Sequence, residues 1–358
     1  MLTSYFRHYA KTYRAYKSGP ICYEDGCLYR GLITLYEATG EQNWLDILIS
    51  HARTQVTPDG GISGYELEEY NIDNILSGRA FLYLYKKTQD ERYLKASQAL
   101  AKQLETHPKT DGGNYWHKKR YPYQIWLDGL YMGLPFQIEY GQLTGNDMLI
   151  DNALSQLSHA LEIMGVGQNG LYAHGYDESR KQAWADRETG LSPAHWGRAI
   201  GWLTVALVDI CELVGKEKMG PSFERTVDLL EEIVKRQREE GAWLQVIDQP
   251  DLQGNYLESS ATAMFSYALL KGARLGLGAK FVAPGLKSHA YLEQLIASND
   301  RKVLPNIVCV AGLGGFDGNY RDGTAEYYVS EITCADDVKG VGPFMMASAE
   351  KLLLDQQS

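Results

Sequence analysis

The chain has 358 residues, of which 44% are hydrophobic and 22% are charged. This balance excludes a mainly disordered protein, because it supplies enough apolar surface for a large core. The formal net charge of −10 disfavours binding to nucleic acid or to a membrane surface, since both attract positive charge. No apolar run reaches the roughly 18 residues of a membrane span, and the first residues lack the apolar segment of a signal peptide. The five cysteines are scattered without zinc-site spacing. We therefore expect a cytoplasmic protein that uses no metal or other cofactor.

A weak internal repeat organises the predicted helices along the chain. Each copy begins at a small residue and continues as an apolar run too continuous for a surface helix, which predicts a buried helix. The six small residues are Gly31, Gly78, Gly133, Gly201, Ala263 and Gly342. Every copy except the last is followed by a more amphipathic segment, for example 44–53, 93–105 or 223–239, which predicts an outer helix.

Six buried helices alternating with outer helices predict an all-α fold, an (α/α)6 barrel of six helical hairpins that forms a single domain over residues 1–358. The outer helix missing after the sixth copy is expected from the N-terminal segment 2–17, because a closed ring requires this return. An open right-handed solenoid of helix pairs is the alternative, since a sequence period alone does not establish closure.

The repeat also aligns side chains that can carry chemistry. Five residues before the small residue of copies two to six, the chain has Asp73, Asp128, Trp196, Glu258 and Asp337. A connecting loop enters each inner helix at this point, so we expect all five at one mouth of the barrel. Acidic residues also cap helix N-termini, and capping is therefore the alternative role for each carboxylate.

Asp128 and Asp73 are the candidates for acid/base chemistry. Asp128 lies in the densest aromatic stretch of the chain, residues 116–132. Loss of water there disfavours the charged form, which predicts a raised pKa for Asp128. Asp73 has polar neighbours and is expected to stay ionised. Two carboxylates in different protonation states at one cavity are what an acid/base hydrolase requires.

The chain also contains candidates for binding an anionic, ring-shaped ligand. Arg198 is expected to bind a carboxylate through both of its terminal nitrogens, with Trp196 or Trp202 as a stacking face. The alternative is a structural arginine paired with an aspartate, beside tryptophans that fill helix contacts. His117 and Lys118 either bind an acidic substrate or lie on a surface turn.

Three motifs carry a resemblance to a known family. They are Trp-His-Lys-Lys at 116–119, Trp-Leu-Asp-Gly-Leu-Tyr-Met at 126–132, and Trp-Gly-Arg-Ala-x-Gly-Trp at 196–202. With them, the chain resembles family 105 of the glycoside hydrolases, the unsaturated rhamnogalacturonyl hydrolases. The resemblance extends over nearly the whole chain and implies an (α/α)6 barrel.

The resemblance also implies roles for individual residues. Asp128 would be the general acid/base and Asp73 a second active-site acid. The implied substrate contacts are Tyr23, His117, Lys118, His174, Trp196, Arg198 and Trp202. The implied partner is a small anionic disaccharide, whose 4,5-unsaturated uronic acid is detached by hydration of its C4–C5 double bond. The alternatives are an unsaturated glucuronyl hydrolase of other polysaccharide fragments, a sugar epimerase of the same fold, and a non-catalytic carbohydrate-binding protein.

Overall fold

The computed structural model describes residues 2–165, 167, 169–316 and 318–357, and most of them are helical. The α-helices along these residues are, in chain order, α1 Leu2–Thr12, α2 Tyr23–Thr39, α3 Gln42–Gln55, α4 Leu76–Thr88, α5 Glu91–Thr106, α6 Leu127–Thr144, α7 Asp147–Met164, α8 Gly197–Met219, α9 Pro221–Lys235, α10 Ser259–Arg274, α11 Val282–Ser298, α12 Ala325–Ser330 and α13 Val338–Gln357. Short 3-10 helices occur at Leu67–Glu69, Ile72–Ile75 and Ala279–Phe281. None of the described helices has the length and apolar character that a bilayer crossing requires.

Among the residues that the structure describes, six short strands form antiparallel pairs in the connecting segments. Their bounds are β1 Gln124–Trp126, β2 Gly175–Asp177, β3 Ile307–Val308, β4 Gly314–Phe316, β5 Asn319–Arg321 and β6 Thr333–Cys334. The pairs are β1 with β2, β3 with β6, and β4 with β5. In the first pair Trp126 stands opposite Gly175, so this pairing joins the start of α6 to a segment that follows α7.

The inner helices close into a ring. Helix α2 packs on α4, α4 on α6, α6 on α8, α8 on α10, α10 on α13, and α13 on α2 again. Helices α3, α5, α7, α9 and α11 each pack against the inner helix that precedes them. The predicted (α/α)6 barrel is confirmed, and the contact between α13 and α2 excludes the open solenoid.

Helix α1 occupies the sixth outer position. The ring of Phe6 meets the ring of Phe344 in α13 edge-on, with centroids 5.4 Å apart. On the other side, the Nε2 atom of His51 in α3 is 2.8 Å from the carbonyl oxygen of Ala10. The N-terminal segment therefore returns to the last inner helix, although its helix ends at Thr12, before the end of the predicted segment 2–17.

Small residues allow the ring to close between its first and last inner helices. A Cβ atom added to Gly342 would lie 2.5 Å from the carbonyl oxygen of Cys27, and one added to Gly31 would lie 2.9 Å from the Cβ of Met345. The backbones of α2 and α13 thus approach too closely for any side chain at these two positions. This close approach explains why these two copies of the repeat begin with glycine.

One predicted outer segment extends beyond its helix. The sequence predicted a helix over 223–239, whereas α9 begins at Pro221 and ends at Lys235. The chain then turns, because Arg238 donates its backbone N–H to the carbonyl of Ala242 and Gly241 takes a positive φ of 100°. The predicted segments 44–53 and 93–105 lie inside α3 and α5.

A buried ionic network joins inner helices across the ring, and Arg30 of α2 belongs to it at 3.8 Å from Asp209. Asp209 of α8 accepts hydrogen bonds from Arg79 Nη1 of α4 at 2.7 Å, and from Lys271 Nζ and the Tyr267 hydroxyl of α10, each at 2.6 Å. Arg79 also binds Glu139 of α6 at 2.8 Å. Burial raises the pKa of Asp209, but the neighbouring cations outweigh this effect and hold it far below its usual value. The carboxylate therefore stays charged inside the barrel.

We expect Asp209→Asn to lower the free energy of unfolding by about 3–5 kcal/mol, because it leaves buried cations without their counter-charge. Chemical denaturation followed by circular dichroism measures this loss. The matched control is Asp147→Asn, since Asp147 is 84% exposed and 4.0 Å from Lys218; it should change stability by less than about 0.5 kcal/mol. Equal denaturation midpoints for the two variants would contradict the stabilising role of the network.

Candidate active site

A cavity of about 370 Å³ opens where inner helices of the ring begin. Its walls come from the starts of α2 and α6, the segments before α4 and β1, and the segments that follow α1, β3 and β4. The residues lining it are Lys17, Cys22, Tyr23, Glu24, Glu69, Asn71, Asp73, Asn74, His117, Lys118, Arg120, Tyr121, Trp126, Asp128, Met132, Val310, Ala311 and Arg321. A second cavity, of about 430 Å³, lies between α1, α2, α3, α11 and α13, away from Asp73 and Asp128.

The structure brings five of the nine predicted site residues to the walls of the first cavity. They are Tyr23, Asp73, His117, Lys118 and Asp128. The other four, His174, Trp196, Arg198 and Trp202, are buried and do not line it. The repeat thus located the correct end of the barrel, but the cavity lies on the side of α2, α4 and α6.

Strand pairing places an imidazole beside Asp128. Leu127 donates its backbone N–H to the carbonyl of His174 at 3.0 Å, continuing the β1–β2 ladder into the first turn of α6. As a result, His174 Nε2 is 3.0 Å from Asp128 Oδ2, although the geometry is not that of a hydrogen bond. On its other side, His174 Nδ1 is 2.6 Å from the hydroxyl of Tyr328. The three side chains form a continuous polar chain from the cavity to the interior.

The prediction of a raised pKa for Asp128 is wrong. Burial does raise the pKa of this carboxyl, but the charge of the adjacent His174 imidazole outweighs burial and lowers the pKa below its usual value. The sequence analysis considered the aromatic rings around Asp128. It could not include an imidazole that β-pairing brings from a distant segment, and this imidazole reverses the direction of the shift.

Asp73 is held by the segment that carries His117 and Lys118. Lys118 Nζ is 2.6 Å from Asp73 Oδ2, while His117 Nε2 is 3.7 Å from Oδ1. The 3-10 helix before α4 is fixed here because Asn71 caps it through the N–H of Asp73 and Ile72 donates to the carbonyl of His117. Burial lowers the pKa of His117 to about 4, so this ring is neutral near pH 7. The lysine is therefore the cation that balances Asp73.

The predicted tryptophans pack in the interior. Trp196 donates its indole N–H to Gln245 at 3.2 Å and stacks on the ring of Tyr328, with centroids 5.6 Å apart. Trp202 stacks on Tyr131 with centroids 5.4 Å apart. Both indoles fill contacts between helices and segments, which agrees with the structural alternative considered from the sequence.

The contacts of Arg198 within the protein are known, while its predicted role as a carboxylate clamp stays a prediction. Its side chain is buried in the first turn of α8, where Nη1 donates to the carbonyl of Val308 and to the hydroxyl of Ser260. The guanidinium carbon lies 4.8 Å from the centre of the Trp196 ring. Arg198 therefore ties α8 to α10 and β3. These contacts are the ones expected of a structural arginine, although the acceptors are a carbonyl and a hydroxyl instead of an aspartate.

The four aligned carboxylates divide into two groups. Glu258 caps α10, because its Oε2 accepts the backbone N–H of Ala261 at 2.6 Å. Asp337 accepts the backbone N–H of Lys339 at 2.9 Å and pairs with its Nζ at 2.8 Å. Asp73 and Asp128 line the cavity, and each keeps one buried carboxylate oxygen without a hydrogen-bond partner. Only this second pair is placed to act on a ligand.

Sequence reasoning missed Glu24, Arg321 and Tyr328. Glu24 and Arg321 line the cavity, and Tyr328 contacts His174. Arg321 and Tyr328 belong to the segment between β3 and α13, which lies outside the repeat, so no alignment of copies could locate them. Within the described parts of the chain, no group of three or more His, Cys, Asp or Glu side chains is arranged to hold a metal ion.

We expect His174→Gln to raise the pKa of Asp128, because burial then acts on the carboxyl without the opposing charge. Titration of carbon-labelled aspartate by NMR measures this pKa directly. His195→Gln is the matched control, because His195 pairs with Asp248 at 2.8 Å. This substitution should leave the pKa of Asp128 unchanged. An unchanged Asp128 titration in the His174 variant would show that the imidazole does not set this pKa.

Comparison with known proteins identifies the family. The model of Glycosyl Hydrolase Family 88 matches residues 3–354. A solved structure from C. acetobutylicum, a glycoside hydrolase from family 105, has a TM-score of 0.87 and 38% identity, covering 92% of this chain and 93% of that chain. Protein Atu3128 of Agrobacterium fabrum is 53% identical over 232 residues, which are 62% of this chain and 99% of that protein.

A more distant relative has a named activity. The unsaturated rhamnogalacturonyl hydrolase YesR of Bacillus subtilis is 27% identical over 260 residues, which are 70% of this chain and 70% of that protein. Together with the fold and the two cavity carboxylates, these matches confirm the resemblance carried by the sequence motifs. The chain therefore belongs to the glycoside hydrolases that the family 88 model and the family 105 structure represent.

Proposed function

We propose that this glycosidase acts on unsaturated rhamnogalacturonan disaccharides and detaches the 4,5-unsaturated uronate by hydrating its C4–C5 double bond, with Asp128 as general acid/base. The observation that carries the proposal is the position of Asp128. Its carboxylate lines a cavity that also contains Lys118, Arg120 and Arg321, and such cations can bind a uronate carboxylate. The choice of rhamnogalacturonan is supported by the likeness to YesR.

In the proposed reaction, water adds across the C4–C5 double bond of the uronate ring. Asp128 gives its proton to C4, and the same residue, now a carboxylate, takes a proton from the water that attacks C5. The C5 hemiketal then opens to a ketone, which leaves a hemiacetal at C1. This hemiacetal collapses to an aldehyde and releases the second sugar as an alcohol. No covalent bond between sugar and protein is required.

The lowered pKa of Asp128 requires a source for its proton. Entry of the substrate removes water from the cavity and brings a second carboxylate near Asp128, and both changes raise the pKa of the aspartate. His174 Nε2 lies 3.0 Å from the carboxylate, and Tyr328 contacts the other ring nitrogen of His174. We therefore assign His174 and Tyr328 to the positioning of Asp128.

The other predicted site residues either line the cavity or pack behind it. Tyr23, His117 and Lys118 line the cavity as proposed substrate contacts, while Asp73 is the proposed second acid. Trp196, Arg198 and Trp202 pack behind the cavity and hold His174, α8 and α10 in position. Their substitution should therefore lower stability more than it changes individual substrate contacts.

The proposed substrate can be tested with purified unsaturated disaccharides, one set produced by pectin lyases and the other by glycosaminoglycan lyases. Hydration removes the double bond, so loss of its ultraviolet absorbance reports turnover. We expect faster loss with the rhamnogalacturonan product. Faster loss with the glucuronyl product would identify the alternative hydrolase, and no loss with any disaccharide at high protein concentration would refute the proposed reaction.

We expect Asp128→Asn to reduce kcat about 100- to 10,000-fold, since this is the typical contribution of a general acid or base. Disaccharide affinity should change little, because the amide keeps the shape of the side chain. Calorimetry measures binding, and the absorbance assay measures turnover. Asp147→Asn on the surface is the control. Wild-type turnover by the Asp128 variant would exclude the proposed role.

A further inference from the structure

Glu24 is a third carboxylate at the cavity, and the proposed reaction does not use it. It lies in the first turn of α2, is 7% exposed, and lines the cavity. Its Oε2 atom is buried without a hydrogen-bond partner among the described residues. A buried acceptor without a donor is unfavourable, and more so when it is charged. The site therefore keeps an unused acceptor beside the ligand space.

The protein itself does not provide a strong donor for this oxygen. Cys22 offers only a thiol, and the charges of Lys339 and Lys17 act on Glu24. The Nζ of Lys339 already donates to Asp337 at 2.8 Å and to the Tyr16 hydroxyl at 3.1 Å. Burial dominates and raises the pKa of Glu24 above its usual value. A donor on the ligand would relieve this unfavourable environment.

The ligand group must be a neutral donor. The uronate carboxylate is an acceptor with the same charge as Glu24, so it is repelled, whereas sugar hydroxyls donate hydrogen bonds to carboxylates. The burial of the cavity residues indicates which of the two sugars Glu24 contacts. Glu24 is buried, while Lys17 and Glu69 of the same cavity are exposed, so Glu24 is better placed than they are to contact the more deeply bound ring of a disaccharide.

We propose that Glu24 accepts a hydrogen bond from the C2 or C3 hydroxyl of the unsaturated uronate ring and thereby selects that ring. This inference rests on the proposed function. It assigns Glu24 to binding, while proton transfer stays with Asp128. Because Glu24 contacts the uronate ring, its contribution to binding affinity should be the same whichever sugar lies on the other side of the glycosidic bond.

The test compares Glu24→Gln with Glu69→Gln, both made in the Asp128→Asn background so that binding is measured without turnover. Each change removes one negative charge from the cavity wall and keeps the side-chain shape. Simple electrostatics predicts that both bind the anionic disaccharide equally well or more tightly. If Glu24 accepts a charge-assisted hydrogen bond from the ligand, only the Glu24→Gln variant should bind the disaccharide more weakly, by about 10-fold.

Calorimetry with unsaturated disaccharides that carry two different second sugars provides the readout. We expect the same loss for both ligands with Glu24→Gln. Glu24→Asp keeps the charge but withdraws the carboxylate by one methylene, so it should also weaken binding. Denaturation midpoints confirm that each variant is folded. Equal affinity of Glu24→Gln and Glu69→Gln, or a loss for only one second sugar, would overturn the inference. If the unsubstituted protein neither binds nor converts any unsaturated disaccharide, the proposed function fails instead.

Discussion

The buried carboxylate of Asp209 is the interaction on which the arrangement of the inner helices depends. It is satisfied only when Arg79 of α4 and Lys271 of α10 reach it at the same time. A buried charge with its counter-charges removed is strongly destabilising, so small rotations of these helices are costly. Asp209 stands on the same helix as Arg198, about 16 Å further along its axis. The network therefore fixes the ring well away from the cavity and leaves the cavity walls to other constraints.

Those constraints come from short strand pairs in the connecting segments. Pairing of β1 with β2 brings His174 to Asp128, and the isolated bridge between Asn71 and Lys118 brings the lysine to Asp73. Each carboxylate thus receives its cationic partner from a segment that is not its neighbour in sequence. The barrel supplies two equivalent helix starts, and the connecting segments make their environments different. Equivalent positions in a repeat can in this way carry different chemical roles.

The sequence predicted the ring, and it placed Asp73 and Asp128 at the end of the barrel that carries the candidate cavity, because both follow from the repeat. The buried runs and the small residues at Gly31 and Gly342 are local signals, and the structure explains these two glycines by close backbone contact between α2 and α13. The electrostatics of the site could not be predicted in the same way. The lowered pKa of Asp128 depends on His174, and the position of the Arg198 side chain depends on the carbonyl of Val308. Both contacts join segments whose relative placement only the folded chain defines.

The common direction of the inner helices has a further consequence for a protein of net charge −10. Helices α2, α4 and α6 begin at the cavity, and α8 begins beside it, where Arg198 binds the strand that leads to Val310 in the cavity wall. Backbone dipoles place partial positive charge at helix N-termini, and this charge is not titratable. Several such termini around one opening create a local positive potential that is independent of pH and acts over short range. The helix termini therefore favour negative charge at this opening even though the protein as a whole is acidic.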